Sequence, residues 1–217
     1  MKRTLSLTSA LLLTAAAGCA RPQVSVEVLP PRASVTCAAP DVSAAAFGRG
    51  LFDVGASADF HGSYIADLRV SVPGADVRVD GFEISYQIPD DASVDADGYD
   101  GVSQNGDLVL SGEDDALRVG VVENVELVPR SLALKLAADG ALALTKINYQ
   151  TLGVTLTPVV DEEQAEALPS TFALDLCEDC LVKPPDACTD LGTYQPNPVV
   201  CRVGQDVPLF FCATGGA

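Results

Sequence analysis

Apolar and polar residues alternate with a period of two through much of this chain. Tyr64, Ala66, Leu68, Val70 and Val72 share one side of a run, with Asp67, Arg69 and Ser71 on the other beside a lone apolar Ile65. Successive side chains of a strand point to opposite faces, so the run predicts a half-buried strand. Val24 to Val28 alternates in the same way and stops at Pro30-Pro31, because proline donates no ladder hydrogen bond. Pro73-Gly74 predicts a turn. Val77 and Val79 then share a face, as do Phe82, Ile84, Tyr86 and Ile88, but the parity shifts by one at Asp80-Gly81. A β-bulge there restores one inward face; a tight hairpin turn is the alternative.

Further on, Leu108 to Leu110 predicts a short strand, and Leu117 to Val128 a strong one, with Leu117, Val119 and Val121 alternating and then Val122 and Val125 to Leu127 after a break. Ser131 to Ala138 reads two ways: Leu132, Leu134 and Leu136 alternate as in a strand, yet its Leu, Ala and Lys residues and the preceding Pro129 favour a short helix. Leu142 to Tyr149, Leu152 to Leu156, Thr171 to Cys177 and Val207 to Cys212 read as strands, and 161–167 as one helical turn. Residues 89–106 form an acidic, glycine-containing loop. Residues 181–205 are rich in Pro and Cys and predict an irregular, disulfide-stapled loop. Many short strands with turns between them predict an all-β fold, an antiparallel β-sandwich of about seven to nine strands.

The N-terminus breaks this pattern. Lys2-Arg3 precedes an apolar run from Leu5 to Ala17, and small residues lead to Ala16-Ala17-Gly18-Cys19. Two cations, a short apolar core and small residues make a secretory signal peptide. A transmembrane helix needs about 20 apolar residues, and this run is shorter. With Leu13 upstream, the Cys after Ala-Ala-Gly resembles a bacterial lipobox, in which the Cys is lipidated and becomes the first mature residue. The expected division is a signal peptide at 1–18, a lipidated N-terminus, tether and first strand at 19–45, a sandwich at 46–176, and a Cys-rich segment at 177–217 packed on it. Ala20 follows Cys19 where many inner-membrane lipoproteins carry Asp, so the expected location is the outer membrane.

Charge narrows the partners. The chain carries 13 Lys and Arg against 30 Asp and Glu, a formal charge of −17. Such a surface repels nucleic acid. It has no basic patch for anionic lipid, so membrane attachment is expected through the acyl chains.

Beyond Cys19 there are six Cys: Cys37, Cys177, Cys180, Cys188, Cys201 and Cys212. An even number in an exported chain implies disulfides. Five lie within 177–217, so full pairing sends one of them to Cys37 and closes a loop around most of the domain. Local loops close at lower entropic cost. That favours Cys180–Cys188 and Cys201–Cys212, leaving Cys37 for Cys177.

Candidate chemistry is sparse. Cys177-x-x-Cys180 has redox spacing but ends a strand instead of opening a helix. The same cysteines with Cys188 and Cys201 have zinc-like spacing, but export favours disulfides. His61, the one histidine, stands before a strand with no nucleophile motif near it. Asp95, Asp97 and Gly98 resemble part of a calcium loop, with carboxylates two apart and a glycine for the turn. Ser93 and Gln104 stand where such a loop has its first Asp and its bidentate Glu. A weak calcium site at Asp95 and Asp97 is therefore the one cofactor to weigh, against a plain solvated turn.

The run Phe172-Ala-Leu-Asp-Leu-Cys-Glu-Asp-Cys-Leu181, with Cys201-Arg-Val-Gly-Gln-Asp-Val-Pro-Leu-Phe-Phe-Cys212, resembles the ending of a group of myxobacterial outer-membrane lipoproteins with a Cys-rich C-terminal tail. Tyr64-Ile-Ala-Asp-Leu-Arg-Val70 is similar to their early strand. The resemblance covers the tail well and the middle loosely. It implies an outer-membrane lipoprotein and no catalytic residues. The expected role is structural, or binding of an envelope protein or glycan, without catalysis; a calcium-supported adhesion or binding module is the alternative.

Overall fold

A computed structural model describes residues 21–54, 62–87, 101–103, 107–112, 116–138, 150–177, 180–181, 194–197, 200–208 and 210–212. Two β-sheets and a two-stranded ribbon account for the strands among them. In the first sheet β1 (Gln23–Val28) lies between β3 (Tyr64–Pro73) and β9 (Glu166–Ala167), and β7 (Leu117–Val128) forms the far edge. In the second, β8 (Gln150–Val160) is flanked by β4 (Val77–Gln87) and β10 (Ser170–Cys177). β2 (Arg49–Asp53) edges β10, while β5 (Gly101–Ser103) and β6 (Leu108–Leu110) both pair with β4. β11 (Tyr194–Pro196) and β12 (Phe210–Cys212) pair with each other. One helix, α1 (Arg130–Ala138), follows β7.

The expected all-β sandwich is what forms. Seven strands have five residues or more; the others are pieces of two or three. Alternation places the core as the pattern predicts: Tyr64, Ala66, Leu68, Val70 and Val72 from one sheet, and Phe82, Ile84, Leu152, Val154, Leu156, Phe172 and Leu174 from the other, are buried. Phe52, Tyr64, Phe82 and Phe172 are each 2 % exposed or less, and burying such a ring contributes about 1.5–3 kcal/mol. The parity shift in β4 is a bulge: the strand runs unbroken through Asp80-Gly81, with its register on β8 slipping between Val79 and Gly81. The break in β7 is also an irregularity of register, opposite Ala66 to Leu68. There Asn124 takes φ 58°, a left-handed value that Asn tolerates better than most residues.

Several expectations change. The sandwich is mixed: β10 pairs β2 in parallel and β1 pairs β9 in parallel, both at sheet edges. The pieces β5, β9 and β11, and the five-residue β2, carry too few residues to show a period. Asp161 to Ala165 forms the one helical turn, the Gln164 and Ala165 N–H groups both donating to Asp161 O (2.9 and 3.1 Å), but it ends there and β9 follows directly at Glu166. The stretch 181–205 contains β11, and the last strand begins at Phe210, not Val207. Leu142 to Tyr149 lies outside the described residues.

Candidate functional site

Strand directions give the sandwich two ends. Gln23 is level with Pro73 and Leu117 across the first sheet, since Ser25 pairs with Ser71 and Pro73 with Leu117. Val79 and Val160 pair at the same end of the second sheet, and residues 161–165 cross there to β9. The opposite end carries Tyr64, Val128, Gln87 and Cys177. The C-terminal segment packs on that opposite end. Asp53 N–H donates to Gly204 O (2.9 Å), Asp206 N–H donates to Leu51 O (2.8 Å), and Phe52 bridges Gln205.

Asp67 is the centre of the densest polar cluster. The alternation assigns it to the solvent side, yet its side chain is fully buried. Arg32 caps it with two hydrogen bonds of 2.8 Å, Arg202 donates at 3.0 Å and the Asn124 N–H at 2.9 Å. Arg32 also donates to Glu123 and to Cys37 O, and Arg202 to Ile65 O and Asn124 Oδ1. Burial alone would raise the Asp67 carboxyl, but the Arg32 hydrogen bonds, the Asn124 N–H and the two guanidinium charges hold it below the usual carboxylate range. A disulfide between Cys37 and Cys201 joins the segments that bring Arg32 and Arg202 together. Every acceptor of Asp67 is engaged by the protein, which makes the cluster a brace between the loop after β1, the β7 bulge and the tail.

Two further carboxylates sit under the tail. Asp206, at φ 54°, accepts from the Tyr64 hydroxyl (2.9 Å) and the Leu51 N–H (2.8 Å). Burial raises its carboxyl despite these donors and the nearby Arg202 charge. The Tyr64 phenol is pushed well up by burial and by the Asp206 charge. Tyr64 is 1 % exposed, so no substrate reaches this pair. Asp53, also fully buried, accepts from the Leu181 N–H at 2.9 Å. Its carboxylate and the Cys177 and Cys180 sulfurs lie within 4.8 Å of one another. Those sulfurs form a disulfide, which leaves no thiolate to bind a metal.

The disulfide map therefore differs from the local one. The long-range bond from Cys37 into the tail forms, but to Cys201 instead of Cys177, and Cys177 pairs with Cys180 instead of reaching Cys37. With these pairings, neither Cys180–Cys188 nor Cys201–Cys212 exists. Loop length misleads here because the Asp67 cluster and the β2 contacts hold residues 201–206 beside the loop after β1. Cys19, His61, Asp95, Asp97 and Cys188 lie outside the described residues; Cys212 ends β12. Asp67, Arg32, Arg202, Asp206 and Asp53 are the residues that pattern reading misses. The one hint is that arginines are scarce in so acidic a chain and that Arg202 follows a Cys.

At the other end an open groove of about 510 Å³ is lined by Arg21, Glu83, Pro158, Glu162, Ala165 and Glu166, among others. Among the described residues no helix is long and apolar enough to cross a membrane.

No family model and no curated protein matches this chain. Among solved structures, a family 123 glycoside hydrolase from Clostridium perfringens, described for glycolipid glycan hydrolysis, is similar over 71 % of this chain and 27 % of its own length, at 6 % identity and a TM-score of 0.29. The chain thus spans about a quarter of that enzyme, and so low a TM-score carries no argument about function.

Proposed function

We propose that the protein is a lipid-anchored lipoprotein of the outer membrane, in which a disulfide-braced sandwich has a structural role or binds an envelope protein or glycan. The carrying observation is Leu13 with Ala16-Ala17-Gly18-Cys19 after a short cationic and apolar leader. The Cys37–Cys201 and Cys177–Cys180 bonds support export, because disulfides persist in oxidising compartments. The clusters around Asp67 and Asp206 spend their polar groups on holding the tail, which fits a scaffold better than a catalyst. Calcium-supported adhesion remains the variant that Asp95 and Asp97 would serve.

The test is Cys19→Ser. It should free the protein from membranes or leave the leader uncleaved, and intact mass of the parent should show diacylglycerol on Cys19. A parent protein with no lipid there ends the proposal.

A further inference from the structure

The chain is part of the sandwich almost from Cys19 onward. Arg21 donates to Glu162 O. The Glu166 N–H donates to Pro22 O (3.0 Å), and the Leu168 N–H to Val24 O (2.9 Å). Gln23 and Val24 pair with Glu166 and Ala167. Only Ala20 separates Cys19 from the first of these attachments. Two residues of extended chain span at most about 7 Å, so an acyl group on Cys19 leaves the sandwich no room to stand away from a bilayer.

This end carries exposed apolar side chains among the carboxylates Asp76, Asp107, Glu162 and Glu166, so contact is expected with a neutral rather than an anionic leaflet surface. Val109, Leu117 and Val119 are half of the large apolar side chains that are exposed among the described residues, and Leu117 and Val109 are both 63 % exposed. Leu117 is level with Gln23, two strands away, which is about 10 Å at the usual strand spacing. Val109 pairs with Arg78, next to the Val79–Val160 pair.

We propose that this end of the sandwich, where β1 starts and β7 starts, is a bilayer-docking face, with Leu117 and Val109 reaching the interface of the phospholipid leaflet that holds the Cys19 lipid. The proposal rests on the lipoprotein reading. It replaces a flexible tether with a fixed orientation. The end that carries the Cys177–Cys180 bond, the tail and the start of the acidic loop after Gln87 then faces away from the membrane, open to a partner.

The chain has no Trp, so single Trp reporters are available at exposed sites. Leu117→Trp reports on the docking end. Val35→Trp, at a position 74 % exposed beside the Cys37–Cys201 bond at the opposite end, is its counterpart. Each full-length, natively lipidated variant is reconstituted into phosphatidylcholine vesicles with and without bromine on the acyl chains. An interfacial side chain sits about 5–10 Å into the headgroup and acyl boundary. Brominated lipid should therefore quench Leu117→Trp by about two-fold and leave Val35→Trp unchanged. Quenching of Val35→Trp alone means the reverse orientation and overturns the proposal. Vesicle-bound protein with neither Trp quenched means that β1 peels off to act as a tether, and also overturns it. Intact mass and flotation, run on the same samples, show separately whether the Cys19 lipid is present. Its absence overturns the lipoprotein reading and the docking face with it.

Discussion

Asp67 shows how much a single buried carboxylate holds here. Removing one partner of a buried ion pair costs about 3–5 kcal/mol, because the other charges are left buried and unpaired. Asp67→Ala removes the buried acceptor shared by Arg32, Arg202 and the Asn124 N–H, while Arg32 keeps Glu123 and Arg202 keeps Ile65 O, so a loss of about 3 kcal/mol, the low end of that range, is expected in urea unfolding; a loss below about 1 kcal/mol would show the cluster to be solvent-screened. Asp206 behaves oppositely with pH. Its folded carboxyl titrates above the unfolded value, so the folded state holds the proton more tightly. Stability from this site rises as pH falls through that raised value toward the unfolded value of about 3.9. Asp67 titrates lower when folded, so its contribution is complete above about 3.9 and is lost as pH falls below it. The expected profile has a mildly acidic maximum. Asp206→Asn keeps an oxygen for Leu51 and Tyr64 and tolerates φ 54°. It should abolish the acid-side rise while costing at most about 1 kcal/mol at pH 7. An unchanged profile in melting temperature would assign the rise to another group.

Among the elements, β2 carries the tightest constraint. A Cβ added at Gly50 would overlap the Tyr64 hydroxyl and meet Phe172 Cζ at 2.8 Å and Leu174 Cδ1 at 3.0 Å. Tyr64 cannot retreat, since Asp206 holds its hydroxyl. Gly50→Ala should therefore cost about 1–3 kcal/mol, as overpacking does. At Gly153 in β8 the same addition meets Gln87 Cβ at 3.3 Å and the Gln87 Oε1 at 3.7 Å, and Gln87 is exposed. Gly153→Ala should change stability by less than about 0.5 kcal/mol. Equal effects of the two in chemical denaturation would show that the β2 approach to Tyr64 is looser than its geometry. Long strands were legible from the period of two because each has enough residues on its buried face to show it. The bulge in β4 was legible only as a one-residue shift in that period. β2 was not, since its pairing on β10 joins residues about 120 positions apart and its five residues include Gly50.

The whole molecule is closed by the Cys37–Cys201 bond, 164 residues apart. In the chain-entropy account a loop of that size stabilises by about 5 kcal/mol. Cys37→Ala with Cys201→Ala should lower stability by a few kcal/mol while the Asp67 cluster keeps the tail in place. Non-reducing peptide mapping should recover Cys37 joined to Cys201 and Cys177 joined to Cys180. A Cys37–Cys177 peptide would overturn that arrangement.

The sequence left a helix or a strand open after Pro129 and a bulge or a hairpin turn open at Asp80-Gly81, but by itself it determined the class of fold, the positions of the long strands and the need for a bond from Cys37 into the tail. These follow from local periodicity and from counting thiols, neither of which requires knowing what lies next to what. Tertiary structure alone decided which Cys receives Cys37, that two edge pairings are parallel, and that Asp67 on the polar side of β3 is buried. Each depends on segments far apart in the chain meeting at one end of the sandwich, where Arg32 and Arg202 converge on one carboxylate. Alternation records which side of a strand a residue takes, but not whether a loop and a tail will later cover that side.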